Sequence, residues 1–343
     1  MTMTSLKRLG AFALLATIAL GACSPGAATT GPSVEATAEA TTAPTEAASE
    51  APALSGTVTI DGSSTVYPIT EAVAEEFQLA NPGVRVPTSL SGTGGGFKKF
   101  CAGETDINDA SRPIKAQDEK EGLACAANGI EYVELQVAID GLTVVVNPAN
   151  TFATCLTIEE LARIYGPDSP QDLKWSDVRA GFPADPVNRF MPGADSGTFD
   201  YFTEVINGKS KRSRSDYAAS EDDNVLVQGV AGEKGGLGYF GFSYYEENQD
   251  KLRAVQIKNP KTGNCVAPSA AAAQNGTYKP LARPLFVYAK GTSFKRPEVQ
   301  AFLRYIFDNE VAIAKRARFV SLTPAQLKKA RITFDLAVKA ANR

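Results

Sequence analysis

A chain of 343 residues with 43% hydrophobic and 21% charged positions has the size and balance of a globular protein of one large or two medium domains. Histidine is absent, which excludes a Ser-His-Asp triad, a Cys-His dyad and an HExxH zinc site. The net charge of −3 is uneven: Lys7 and Arg8 are the charges of residues 1–22, residues 24–54 carry four acids and no base, and the rest sets 33 bases against 34 acids. A near-neutral body of this kind argues against a nucleic-acid partner, which demands a basic face.

Lys7-Arg8 leads into an apolar run from Leu9 to Leu20, as long as a secretory core and too short to cross a bilayer. The run closes on Leu20-Gly21-Ala22-Cys23, which resembles a bacterial lipobox. Residues 1–22 are therefore read as a lipoprotein signal peptide and Cys23 as a lipid anchor, against the plainer reading of an ordinary signal peptide with an incidental cysteine. Residues 23–54 hold no aromatic residue and, as large apolar side chains, only Val34 and Leu54. Such a segment buries too little surface to offset its chain entropy and reads as a disordered linker spanning roughly 30 Å. The expected location is extracytoplasmic, lipid-anchored to the cell membrane, in the periplasm or at the cell surface.

From Leu54 onward short β-like runs alternate with helical patterns, pointing to an α/β body with largely parallel strands. Val58-Thr59-Ile60 predicts a strand, Asp61 to Thr65 a turn, and Val66, Ile69, Val73 and Phe77 a helix that Asn81-Pro82-Gly83 stops. The order repeats with Val84-Arg85-Val86, the turn Ser91 to Gly96, and a helix through Phe97, Phe100 and Cys101. Val137–Val146 and Pro284–Tyr288 read as long buried strands. Between them Thr157-Ile158-Glu159-Glu160 forms a capping box, and Ser196-Gly197-Thr198 opens a helix through Phe199, Phe202 and Ile206. Further helices are expected through Val299–Phe307 and from Thr323-Pro324. Two lobes result, 55–139 with 285–343 and 140–284, the extended segments serving as crossovers. Four cysteines other than Cys23 allow three pairings. Keeping each pair within one lobe favours Cys101–Cys125 and Cys155–Cys265. A metal site lacks both Cys-x-x-Cys and histidine, so neither metal nor cofactor is expected.

Three turns place hydroxyls and glycines at helix starts: Ser63-Ser64-Thr65, Ser91-Gly92-Thr93-Gly94-Gly95 and Ser196-Gly197-Thr198. Each alone reads as ordinary capping; together they can converge unpaired N–H and O–H donors on one tetrahedral oxyanion. The second is no Walker A loop, because Gly94-Gly95-Gly96-Phe97-Lys98-Lys99 lacks the Gly-Lys-Ser/Thr ending. Thr105–Pro113 adds Asp106, Asp109 and Arg112. An ionised Asp accepts the hydrogen that phosphate carries near neutral pH and sulfate lacks, so a carboxylate here selects phosphate. Turn formation or a surface ion pair is the plainer role for either acid.

Residues 57–67 (TVTIDGSSTVY), 91–96 (SGTGGG), 104–113 (ETDINDASRP) and 192–202 (PGADSGTFDYF) resemble the substrate-binding protein of bacterial high-affinity phosphate ABC transporters, over essentially all of residues 55–343. The resemblance implies a type II periplasmic-binding-protein fold, two lobes joined by two crossover strands, a monomer that holds inorganic phosphate in the interlobe cleft without chemistry and delivers it to a membrane permease. Carried over by position, it implies phosphate contacts from Ser64, Thr65, Val66, Ser91, Asp106, Ser196, Gly197 and Thr198. The commoner family pattern has an arginine where this chain has Pro192, and Arg112 is expected to take over the charge, with Arg189 a more distant option. Competing readings are a receptor for sulfate or molybdate, a secreted phosphate-ester hydrolase using one of the serines, for which no Ser-x-x-Lys pattern supplies a base, and an adhesin or signalling module. The glycines and tyrosines of residues 235–245 read as turns and packing, and Lys209–Arg214 as a solvated loop.

Overall fold

A computed structural model describes residues 53–114, 120–194, 196–220 and 222–343; the expected signal peptide, Cys23 and the linker up to residue 52 lie outside the described residues. Strand Ile60–Gly62 is buried along its whole length, as befits a parallel strand covered on both faces. It turns through Ser63–Val66 into helix Tyr67–Ala80, which has a proline in its first turn and Asn81 at its end. Thr88–Leu90 likewise leads into helix Gly92–Cys101. Both strands, with Ile107–Ala110, form a parallel set. Thr157 with Glu160, and Thr323 with Gln326, close the capping boxes of helices Ile158–Tyr165 and Pro324–Ala341.

Two long antiparallel strands, Tyr132–Val146 and Ala282–Lys290, run through the centre. On one side lie Ile107–Ala110, Ile60–Gly62 and Thr88–Leu90; on the other Gly236–Gly241, Asn188–Pro192 and Ala218–Ser220, all in one nine-stranded sheet. The apolar cores divide along these strands. One gathers residues between Val58 and Ala138 with Leu285 to Phe334; the other gathers Ile139 to Ala282. Two α/β lobes thus share a pair of crossing strands.

A third segment also crosses. Ile139 and Val320 exchange backbone hydrogen bonds, both 2.9 Å, and Val320 and Leu322 are buried in the core of the second lobe. The sequence reading kept all of 285–343 with the first lobe. These two apolar side chains, between helices Glu310–Arg316 and Pro324–Ala341, find their cover across the hinge instead. The disulfides are Cys101–Cys125, joining helix Gly92–Cys101 to helix Lys120–Ala127, and Cys155–Cys265, joining the outer strands of a small three-stranded sheet.

Helix Gly92–Cys101 sits so close to the sheet that a Cβ on Gly96 would lie 2.1 Å from Asn108 Oδ1 and 2.5 Å from Gly62 Cα. Backbone does not yield as a side-chain tip does. Gly96→Ala is therefore expected to destabilise the protein by about 2–3 kcal/mol, read as an earlier midpoint in urea unfolding; an unchanged midpoint contradicts this packing.

Candidate functional site

Parallel strands bring the turns at their C-terminal ends to one edge of the sheet. Here Ser63, Ser64 and Thr65, the helix start Gly92-Thr93-Gly94, and Ser111 with Arg112 meet around a cavity of about 230 Å³. The second lobe closes it with Asp200, Tyr201 and Glu204 from helix Gly197–Asn207 and with Ser210, and the crossing strand contributes Arg283. The donors are tied together locally. Thr65 N donates to Ser63 Oγ (3.2 Å), Ser111 N donates to Thr93 Oγ1 (3.2 Å), and the Thr93 and Ser111 hydroxyls are 3.0 Å apart. Helix starts, hydroxyls and guanidinium groups around one small space make an oxyanion site. A larger depression of about 460 Å³ against Arg163, Ser169 and Arg212 contains none of these turns.

Arg112 donates to both oxygens of Glu121 (2.9 and 2.6 Å) and lies over the Phe97 ring. Glu121 belongs to the helix that the Cys101–Cys125 bond fastens to helix Gly92–Cys101, so the covalent link helps to aim a cation at the cavity. Asp200 has an Oδ1 that is buried without a hydrogen-bond partner, 3.9 Å from Lys211 Nζ. Burial, against the pull of Lys211, raises its carboxyl above the ordinary range.

Three of the expected contacts, Ser64, Thr65 and Arg112, line the cavity. Val66 is buried, and its amide donates to Ser63 O (3.2 Å) inside the turn. Ser91 spends its hydroxyl on Asp61, which also pairs with Lys99. Ser196 caps its own helix, accepting from Thr198 N (3.2 Å) and Phe199 N (3.4 Å). Gly197 abuts the first turn: a Cβ there would be 2.7 Å from Thr65 Oγ1. The structure therefore brings the third turn against the first, beside the cavity.

Asp106 is elsewhere. Its Oδ2 accepts from Thr59 N and Oγ1 (both 3.0 Å), and its Oδ1 accepts from Ser293 Oγ and Arg296 Nη1 (both 2.7 Å). Burial favours the neutral acid, but these donors win and hold its pKa low. The physical reason is direction. Asp106 precedes strand Ile107–Ala110 and Ser111 follows it, so the acid sits at the strand end opposite the cavity. Arg189 is also structural, donating to Ile164 O (2.9 Å), Ser169 Oγ (3.0 Å) and Pro170 O (3.0 Å). Nor is the run 209–214 simply solvated: Arg214 is buried and donates to Ser169 O (3.1 Å) and Pro170 O (3.0 Å) while pairing with Asp216. Asp200, Tyr201, Glu204 and Arg283 were missed. The first three follow Ser-Gly-Thr at helical spacing, so the face of that helix was a usable signal; Arg283 had none.

The profile of the PBP superfamily domain matches residues 37–310. Protein SphX of Synechococcus elongatus is 50% identical over 274 residues, 80% of this chain and 80% of that one. The phosphate-binding protein PstS of Staphylococcus aureus is 34% identical over 315 residues, 91% of this chain and 87% of that one. The solved structure of a possible phosphate binding protein from Planctomyces limnophilus matches with a TM-score of 0.79 at 50% identity, over 83% of this chain and 99% of that one. The fold and the cleft define a two-lobed solute-binding protein of type II architecture. Within that class, the chain belongs to the PBP superfamily and to its PstS-type phosphate-binding proteins.

Proposed function

We propose that this protein captures inorganic phosphate in the interlobe cavity and delivers it, without chemistry, to an ABC permease in the membrane. The observation that carries the reading is the convergence of the Ser63 turn, the Gly92 helix start and Arg112 on one space of about 230 Å³. The names of the relatives support phosphate as the anion. Attachment through an acylated Cys23, an extracytoplasmic location and a monomeric state complete the proposal. Among the described residues no helix is long and apolar enough to cross a membrane, and no cluster of acids and cysteines offers a metal site.

Asp200 takes the part that the sequence reading gave to Asp106. A carboxylate at the cavity wall with an oxygen lacking a donor accepts the hydrogen of monohydrogen phosphate and meets sulfate with no hydrogen to share. Calorimetry on phosphate-stripped protein is expected to show one-to-one phosphate binding and no sulfate heat. Asp200→Asn is expected to weaken phosphate binding about tenfold or more and to narrow the preference over sulfate. Sulfate binding by the parent overturns phosphate as the ligand, and an unchanged preference in the variant removes Asp200 from the role.

A further inference from the structure

We infer that Arg283 is a second cationic anchor for the bound anion and the residue that couples its capture to closure of the lobes; this rests on the anion-binding reading above. Arg283 stands opposite Asp140 across the two crossing strands. Its Nε meets Asp140 Oδ2 at 3.3 Å, its Nη2 donates to Thr65 Oγ1 at 3.1 Å, and its guanidinium carbon lies 3.5 Å from the centre of the Tyr201 ring. Thr65 belongs to the first lobe and Tyr201 to the second. One planar group thus touches the hinge, both lobes and the cavity wall.

The geometry favours a part beyond structural pairing. The contact with Asp140 is a single long one through Nε, which leaves the terminal nitrogens to the Thr65 hydroxyl and the cavity. The side chain is 13% exposed, largely desolvated yet open to the cavity. Its acceptor on the first lobe is a neutral hydroxyl, which an oxyanion displaces or joins with a stronger, charge-assisted bond. Tyr201 is held in place, since its hydroxyl donates to Pro280 O (2.5 Å), and the stacked ring fixes the guanidinium plane. Separating the lobes parts Thr65 from Tyr201, so the open form gives up at least one of these contacts. An anion gripped by Arg283 shifts the population toward the closed form by favouring the arrangement in which all of them are made.

The test compares the full-length parent with Arg283→Lys and Arg283→Gln, by phosphate calorimetry and by the change in radius of gyration on adding saturating phosphate. Apo melting curves establish that the variants are folded, and Lys, which keeps the charge and loses the fork and the stack, serves if Gln is not. The expected result is phosphate binding weaker by at least about tenfold in Lys and about 100-fold in Gln, with the compaction on phosphate binding reduced or lost. Binding within about threefold of the parent in a folded variant overturns the anchor. Weaker binding with undiminished compaction overturns the coupling. A parent that takes sulfate and ignores phosphate overturns the phosphate reading alone, and the same comparison is then read with sulfate.

Discussion

Alanine at Gly197 is expected to weaken phosphate binding by roughly 30-fold or more while leaving the melting temperature of the phosphate-free protein near that of the parent. Gly197 is the first residue of helix Gly197–Asn207, a position that alanine accepts readily. The difficulty lies across the cleft. The added Cβ would stand 2.7 Å from Thr65 Oγ1 and 3.1 Å from Thr65 N and Cα, so the two turns meet there with room for a hydrogen only. A methyl group wedges them apart, at a cost of about 2 kcal/mol paid in the closed state and not in the open one. Calorimetry and the rise in melting temperature on adding phosphate read the effect together: the rise shrinks as affinity falls. Parent-like affinity in Gly197→Ala means that the lobes close at a greater separation than this.

The second large effect concerns pH and stability. Asp109 is 1% exposed; its Oδ2 accepts from Thr70 Oγ1 (2.6 Å), and its Oδ1 has no hydrogen-bond partner. Burial pushes its carboxyl up to about 8, the Thr70 hydroxyl offsetting this in part and the charge of Asp61 adding to it. The folded protein therefore holds a proton that the unfolded chain, at the ordinary 3.8, releases. Stability from this group is complete below about pH 4 and drains away as pH rises toward about 8, by up to about 1.4 kcal/mol per pH unit. Asp109→Asn keeps an acceptor for Thr70 and removes the titration. Its unfolding free energy is expected to fall less steeply than the parent's between pH 5 and 9, opening a gap of several kcal/mol in its favour relative to their difference at pH 4. Urea unfolding at a series of pH values measures this, and parallel curves for the two proteins count against a protonated Asp109.

The α/β alternation was legible because each unit prints three local signals in sequence: a short apolar strand, a hydroxyl- and glycine-rich turn, and a helix with period-3.6 apolar residues. Ser64, Thr65 and Arg112 line one cavity because turns at the C-terminal ends of parallel strands share an edge. Asp106 was assigned by carrying the resemblance over by position, which does not fix where the strand begins; strand Ile107–Ala110 separates Asp106 from the cavity end by roughly 16 Å. Arg283 was invisible for another reason. Its partners Asp140, Thr65 and Tyr201 lie far from it in the chain, and its neighbours belong to a buried strand that spells packing. Val320 and Leu322 read as apolar residues between two helices, and nothing local states which core receives them.

That last crossing bears on how the molecule can be cut. Residues 139–282 are continuous in sequence and contain almost the whole core of the second lobe, which makes them the obvious piece to express alone. Such a piece leaves behind Val320 and Leu322, together with the backbone pairing that Val320 gives Ile139. It would carry an unfilled apolar notch and an unpaired strand edge at the hinge, a surface prone to sticking to other copies. A usable second lobe therefore needs a covalent graft of residues 317–322, since its apolar core is drawn from two separate stretches of the chain.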